Sequence, residues 1–170
     1  MRIFKEEQRF TQTWLLILLG ISITIPLFVL INDFFKENST MSLNDLIIIS
    51  ALIIACIAPI FFLKLITRID EVGIHYQFSP FHLSQRTISW HELSSAKIRV
   101  YDAISEYGGW GLKVGFLWKK NKSYAYNVSG SVGIQLTCKN GTRILIGTQK
   151  QQDVKALLAT YASKINNNEH

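Results

Sequence analysis

Only two cysteines, Cys56 and Cys138, occur in 170 residues. That is too few for a disulfide-stapled secreted scaffold or for a zinc site built from four thiolates. Charge is also scarce: 18% of residues are Asp, Glu, Lys or Arg, while 48% are hydrophobic. A disordered chain needs the opposite balance. Proline is rare, and no repeat or low-complexity segment interrupts the sequence. The charge that is present leans positive, with 18 Lys and Arg against 12 Asp and Glu and a formal net charge of +6. This length allows one ordinary domain, or a smaller domain with membrane segments.

The apolar residues are concentrated. Residues 14–31 and 46–63 are two runs of 18 without a charged side chain. As helices each is about 27 Å long, at roughly 1.5 Å per residue, close to the thickness of a bilayer's hydrocarbon core. Neither run shows the polar face of a soluble helix. Gly20, Pro26 and Pro59 fall inside them, which membrane helices tolerate. Ser22 and Thr24 in the first run and Ser50 in the second are positioned for hydrogen bonds between the two helices. Because no ionisable residue lies in either run, proton or ion transport through the hairpin itself is not expected. The leader, residues 1–13, contains Glu6 and Glu7, and no small-residue cleavage pattern follows the first run. A retained helix is therefore expected rather than a cleaved signal.

Orientation follows from Lys and Arg. The leader carries Arg2, Lys5 and Arg9; the connecting segment, residues 32–45, carries Lys36 beside Asp33, Glu37 and Asp45. Fourteen further Lys and Arg lie beyond residue 63. The positive-inside rule then places both termini in the cytoplasm and residues 32–45 outside. Ser42 to Asp45 has the pattern of a helix-starting capping box.

From residue 64 to residue 165 the texture is that of a separate β-rich domain, followed by a frayed tail at 166–170. Eight short alternating runs are predicted strands: 65–70, 73–78, 86–90, 96–102, 111–118, 124–128, 132–138 and 142–146. Asn140-Gly141 is a strong hairpin signal, since both residues tolerate positive φ. Thr148-Gln149-Lys150-Gln151 reads as a capping box. Val154, Leu157, Leu158, Tyr161 and Ile165 then recur at helical spacing, giving a terminal helix with one apolar stripe. Many short strands with regular turns imply a small barrel or sandwich.

This order, with Tyr107-Gly108-Gly109-Trp110-Gly111, Tyr126-Asn127-Val128-Ser129-Gly130 and Leu145-Ile146-Gly147-Thr148-Gln149, resembles the bacterial pleckstrin-homology-like (PH-like) membrane proteins. The resemblance implies a membrane α-hairpin followed by a PH-like barrel or sandwich of seven or eight strands, capped by a C-terminal helix. It implies a binding or scaffolding module in the bacterial inner membrane, and no catalytic residues. Phosphoinositide-binding members have a basic first hairpin turn, whereas Asp70-Glu71-Val72-Gly73 is acidic here. Tight inositol-phosphate binding is therefore not expected.

Within the domain, Gly108-Gly109-Trp110-Gly111 has two readings. It is a turn that requires positive φ, or a binding surface built around Trp110. A phosphate loop would open a helix and carry a following Lys-Ser/Thr pair, and neither is present. If strand directions alternate, Tyr107, Gly108, Gly109, Trp110, Gly111 and Gly130 return to the membrane-facing end, with Phe81, and Tyr126 and Asn127 lie beside them. Trp118, Lys119, Lys120 and Lys122 form the alternative membrane surface, where each cation near an anionic leaflet contributes about 1 kcal/mol. His75, His82 and His91 fall on different strands or loops, so no metal site and no cofactor are expected. The basic residues are scattered, with no helix-turn-helix pattern, which argues against nucleic acid. The expected function is a non-enzymatic, membrane-anchored module that binds lipid or a membrane protein, or that forms a homo-oligomer. The alternative is an accessory subunit of a membrane complex that interacts mainly through its hairpin.

Overall fold

The computed structural model describes residues 3–114 and 123–166. The chain divides into two compact units, one comprising residues 10–63 and the other comprising residues 1–9 together with 64–170.

In the first unit, α1 (Thr13–Phe34) is followed by α2 (Leu43–Ile57) and the single turn α3 (Pro59–Phe62). The capping box forms: the Ser42 hydroxyl accepts from Asp45 N–H, and the Asp45 carboxylate accepts from Ser42 N–H. Pro59 ends α2 and opens α3 at its first position, where its missing N–H costs nothing. Two helical spans, Thr13–Phe34 and Leu43–Phe62, are long and apolar enough to cross a membrane. Phe28 and Val29 on α1 are 65% and 61% exposed, and no residue of α2 is buried. Helices of a soluble core would bury one face. Ser22 and Thr24 do not bond between helices as expected. Their hydroxyls donate to Leu18 O and Gly20 O, one turn back in α1.

Among the described residues the second unit has nine strands where eight were expected. The additional strand is β1 (Phe4–Arg9), within the segment read as a leader. It pairs antiparallel with β2 (Lys64–Ile69), which pairs with β3 (Gly73–Ser79), which pairs with β4 (Arg86–Ser89). The second sheet contains β5 (Leu93–Val100), β6 (Gly111–Val114), β7 (Ser123–Asn127), β8 (Val132–Cys138) and β9 (Arg143–Gly147), in the order β5-β8-β9-β7-β6. The strands thus form sheets of four and five rather than a closed barrel. The β7–β9 pair is parallel and the other pairs are antiparallel. The Asn140-Gly141 turn joins β8 to β9 as expected, with Gly141 at φ 81°.

Alternation explains the core. Ile74, Tyr76 and Phe78 of β3 face inward together with Leu65 and Ile69 of β2. The Tyr76 ring meets Tyr126 of β7 at 4.8 Å, joining the two sheets. In β9, Ile144, Leu145 and Ile146 are all buried, as expected for a central strand covered on both faces. A short helix, α4 (Ala103–Tyr107), precedes β6, and α5 (Gln151–Asn166) closes the unit. The expected stripe of α5 is buried at Val154, Leu157, Leu158 and Tyr161. Tyr161 stacks on Trp90, whose indole N–H donates to Asp70 O at 2.9 Å.

The capping box expected at Thr148 is replaced by a long-range partner. The Thr148 hydroxyl accepts from Lys150 N–H and donates to the Glu6 carboxylate at 2.7 Å. Glu6 also accepts from Gln149 N–H at 2.9 Å, and Gln8 donates to Gly147 O at 2.8 Å. Glu6 and Gln8 are 5% and 4% exposed. The N-terminal strand is therefore fixed to the start of α5 by polar groups that would be costly to bury unpaired.

The register has a further consequence. Arg9, the last residue of β1, is the cross-strand partner of Lys64, the first of β2. Residues 10–63 are thus an insertion between two adjacent antiparallel strands, occupying the place of a hairpin turn.

Candidate functional site

The candidate residues gather at one end of the five-stranded sheet. Gly111 of β6 is opposite Asn127 of β7, and Gly133 of β8 is opposite Gly147 of β9. The local sequence explains the loop that covers this end. The Asp102 carboxylate caps α4 by accepting from Ile104 and Ser105 N–H. Gly108, at φ 68°, ends the helix, and its N–H returns to Ile104 O while that of Gly109 reaches Ala103 O. Gly109 and Gly111 are also at positive φ, and a Cβ on any of the three would meet open space. These glycines are required for backbone conformation and not for close approach of a neighbour.

Gly111 N–H donates to Asn127 Oδ1 at 2.8 Å. The N–H groups of Gly108, Gly109 and Gly111 are therefore all engaged inside the protein, leaving no phosphate cradle of the kind weighed against the turn reading.

Trp110 is half-buried. Its indole N–H donates to Gly130 O at 3.2 Å. With Tyr107 it packs over Tyr101, Ala103, Ala125 and Leu145, a small core on the outer face of the five-stranded sheet. Its ring covers that face, in contrast to the exposed side chain that a binding surface built on it would present. Tyr126 and Asn127 are not at the surface either, at 2% and 0% exposed. Tyr126 lies against Tyr76 and His82, and burial raises its hydroxyl well above the usual tyrosine range. Asn127 and Tyr101 are buried side by side against Gly147, with the Asn127 side chain acting on the Tyr101 hydroxyl. Gly130 is exposed at φ 78°. Trp118, Lys119, Lys120 and Lys122 lie outside the described residues.

Charged groups brace the loop. Arg99 forms two bonds with the Glu106 carboxylate, at 3.1 and 2.8 Å, and donates to Tyr107 Oη at 2.8 Å. The bond from Arg99 holds the Glu106 carboxyl below its usual range. Ile104 projects from this end with 67% exposure.

The four-stranded sheet has two polar features that the sequence reading did not identify. The first lines up Thr87 Oγ1, His75 and Asp70 across β4, β3 and the β2–β3 turn. Thr87 Oγ1 lies 2.8 Å from His75 Nδ1, and His75 Nε2 lies 3.0 Å from Asp70 Oδ1. Arg68 pairs with the other Asp70 oxygen at 2.9 Å. Burial pushes the Asp70 carboxyl up, but bonds from His75 and from Val72 and Gly73 N–H outweigh it and leave the group below its usual range. The acidic turn is thus a folded element, with Asp70 binding the backbone that follows it.

The second feature is the β3–β4 loop. His82 is 7% exposed and its Nδ1 accepts from Phe78 N–H at 3.2 Å, so the proton of the neutral ring is on Nε2. Burial, aided by Arg86, lowers the His82 pKa below the ordinary value. The unfolded chain therefore takes up this proton at a higher pH than the folded one. Stability from neutral His82 is fully present above the unfolded pKa near 6.5 and falls as pH drops below it. Melting temperature should thus decline between pH 7.5 and 5.5 in the wild type and decline less in His82→Gln. Equal declines would show that His82 does not titrate in this window.

Compared with known protein families and with curated proteins, the chain matches none.

Proposed function

We propose that this chain is a membrane-anchored, non-enzymatic binding or scaffolding module of PH-like build. In this reading α1 and α2–α3 cross a bacterial inner membrane, and the nine-stranded domain lies on the cytoplasmic side. The observation that carries the reading is the pairing of Arg9 with Lys64. Because both ends of the inserted segment leave the same end of one sheet, a two-helix crossing that starts and finishes on one side satisfies the chain. The excess of Lys and Arg flanking the insertion supports the cytoplasmic side. The PH-like comparison rests on the order of strands and closing helix, with two sheets in place of a closed barrel. The working surface is the end formed by α4, the Gly108–Gly111 turn and Gly130, where Ile104 is the exposed apolar side chain. Its ligand is lipid or a membrane protein.

The second reading, an accessory subunit recognised through its hairpin, is favoured by the outward-facing apolar side chains of α1 and α2. A photo-crosslinking residue placed at Ile104 or at Val29 in the full chain separates the two. In native membranes, Ile104 should capture a discrete protein or lipid adduct. Adducts from Val29 alone would transfer the function to the hairpin.

A further inference from the structure

We infer that the β3–β4 loop, through Phe81 and Leu83, is an interfacial wedge that inserts into the headgroup region of the bilayer. This rests on the membrane reading above and assigns a lipid contact separate from the α4 end.

Strand register places the loop. Ser79, the last residue of β3, is opposite Lys64, and Lys64 is opposite Arg9. Adjacent strands are about 4.8 Å apart, so the loop begins within two strand spacings of both chain junctions. The polypeptide passes from Arg9 to Phe10 and from Leu63 to Lys64, the ends of the segment that carries the membrane-length helices. The headgroup layer is about 5–7 Å deep on each side of the hydrocarbon. A loop two residues beyond Ser79 therefore falls within reach of it.

The side chains suit that layer. Phe81 is 61% exposed and Leu83 is 97% exposed, on either side of buried His82. This exposure is not that of a loose coil. His82 N–H donates to Phe78 O, Phe78 N–H donates to His82 Nδ1, and Gln77 donates to His82 O. Beneath the loop, His82 is wedged against Tyr76 and Tyr126, and Phe81 stacks on Phe78 at 6.1 Å. A rigid base thus holds two large apolar groups outward, Phe81 resting on Phe78 and Leu83 almost wholly exposed, so little ordering entropy opposes insertion. The surrounding charge is basic on balance: Arg9, paired with Glu7, ends β1, while Lys64 opens β2 and Arg86 opens β4. Cations flanking an apolar tip fit an anionic leaflet. A cytosolic protein partner would not require the tip to share a sheet end with both junctions.

The test uses the full chain with Cys56 and Cys138 replaced by alanine and one new cysteine carrying an environment-sensitive fluorophore. Leu83→Cys reports on the wedge. Val72→Cys, in the turn at the opposite end of the same sheet and 58% exposed, is the aqueous control. Phe28→Cys in α1 reports on the anchor. Each is reconstituted in phosphatidylcholine–phosphatidylglycerol vesicles containing nitroxide lipids, with iodide on both sides. The wedge predicts severalfold stronger quenching by shallow nitroxides, and severalfold weaker quenching by iodide, at Leu83 than at Val72. Iodide quenching at Leu83 equal to that at Val72, with Phe28 still quenched by deep nitroxides, overturns the wedge and leaves the anchor standing. Absence of lipid quenching at Phe28 overturns the membrane reading itself. Strong lipid quenching at both Leu83 and Val72 overturns the assignment to this end of the sheet.

Discussion

A chain in which a short Asn-Gly turn replaces residues 10–63 is expected to fold as a soluble domain, whereas the fragment 64–170 is expected to be largely unfolded. Arg9 and Lys64 are register partners, and a tight turn of this composition closes adjacent antiparallel strands. The simple truncation removes β1. It exposes the edge of β2 to other chains, and it strips the Thr148 hydroxyl, Gln149 N–H and Gly147 carbonyl of their partners. Each lost hydrogen bond costs about 0.5–1.5 kcal/mol, and more for those to the Glu6 carboxylate; with the lost burial of Phe4 the sum is a large share of the stability of a small domain, about 5–15 kcal/mol. Near-UV circular dichroism and a cooperative melt would distinguish the two chains. A fragment 64–170 that melts as cooperatively as the turn-linked chain would show that β1 is dispensable.

In the turn-linked domain, Trp90→Ala should lower stability by about 3–5 kcal/mol, the range for removing a buried large aromatic side chain. Trp90 is 3% exposed and stacks on Tyr161 of α5 at 5.2 Å. Its indole N–H also satisfies Asp70 O, at the turn that Asp70 itself organises. Truncation therefore loosens both the terminal helix and the β2–β3 turn. Trp90→Phe keeps a ring against Tyr161 and loses the hydrogen bond, so it should cost less, about 1 kcal/mol for the bond. Denaturant melts of the two variants provide the comparison. Equal losses would mean that the hydrogen bond to Asp70 O, and not the ring stacked on Tyr161, carries the stabilisation.

What the sequence conveyed depended on whether burial and hydrophobicity coincide. They coincide in the alternating strands β3 and β8, so those elements were legible, while α1 and α2 were legible from unbroken apolar length alone, with almost no residue buried. They separate in β1, whose inward positions are Phe4, Glu6 and Gln8. No hydrophobic alternation marks such a strand, because its buried groups are satisfied by residues about 140 positions away. Thr148 was legible as a polar residue before the terminal helix, but its acidic partner Glu6 was not, for the same reason. At the candidate site the glycine pattern correctly signalled positive φ. Tertiary packing determined the rest: Trp110 covers the outer face of the five-stranded sheet, and Tyr126 and Asn127 lie beneath the surface expected to display them. Phe81 was legible as apolar, but its rigid presentation depends on buried His82, which sequence alone does not distinguish from a surface histidine.

The central claim is that the inserted segment leaves and re-enters one folded domain on the cytoplasmic side of a membrane. Labelling by a membrane-impermeant maleimide in intact bacterial cells tests it, with Cys56 and Cys138 replaced by alanine. Ser39→Cys, between α1 and α2, should label from outside. Val72→Cys, in the folded domain, should label only after the membrane is permeabilised. Labelling of Val72→Cys from outside while Ser39→Cys stays protected, or equal labelling of both before permeabilisation, would contradict the account.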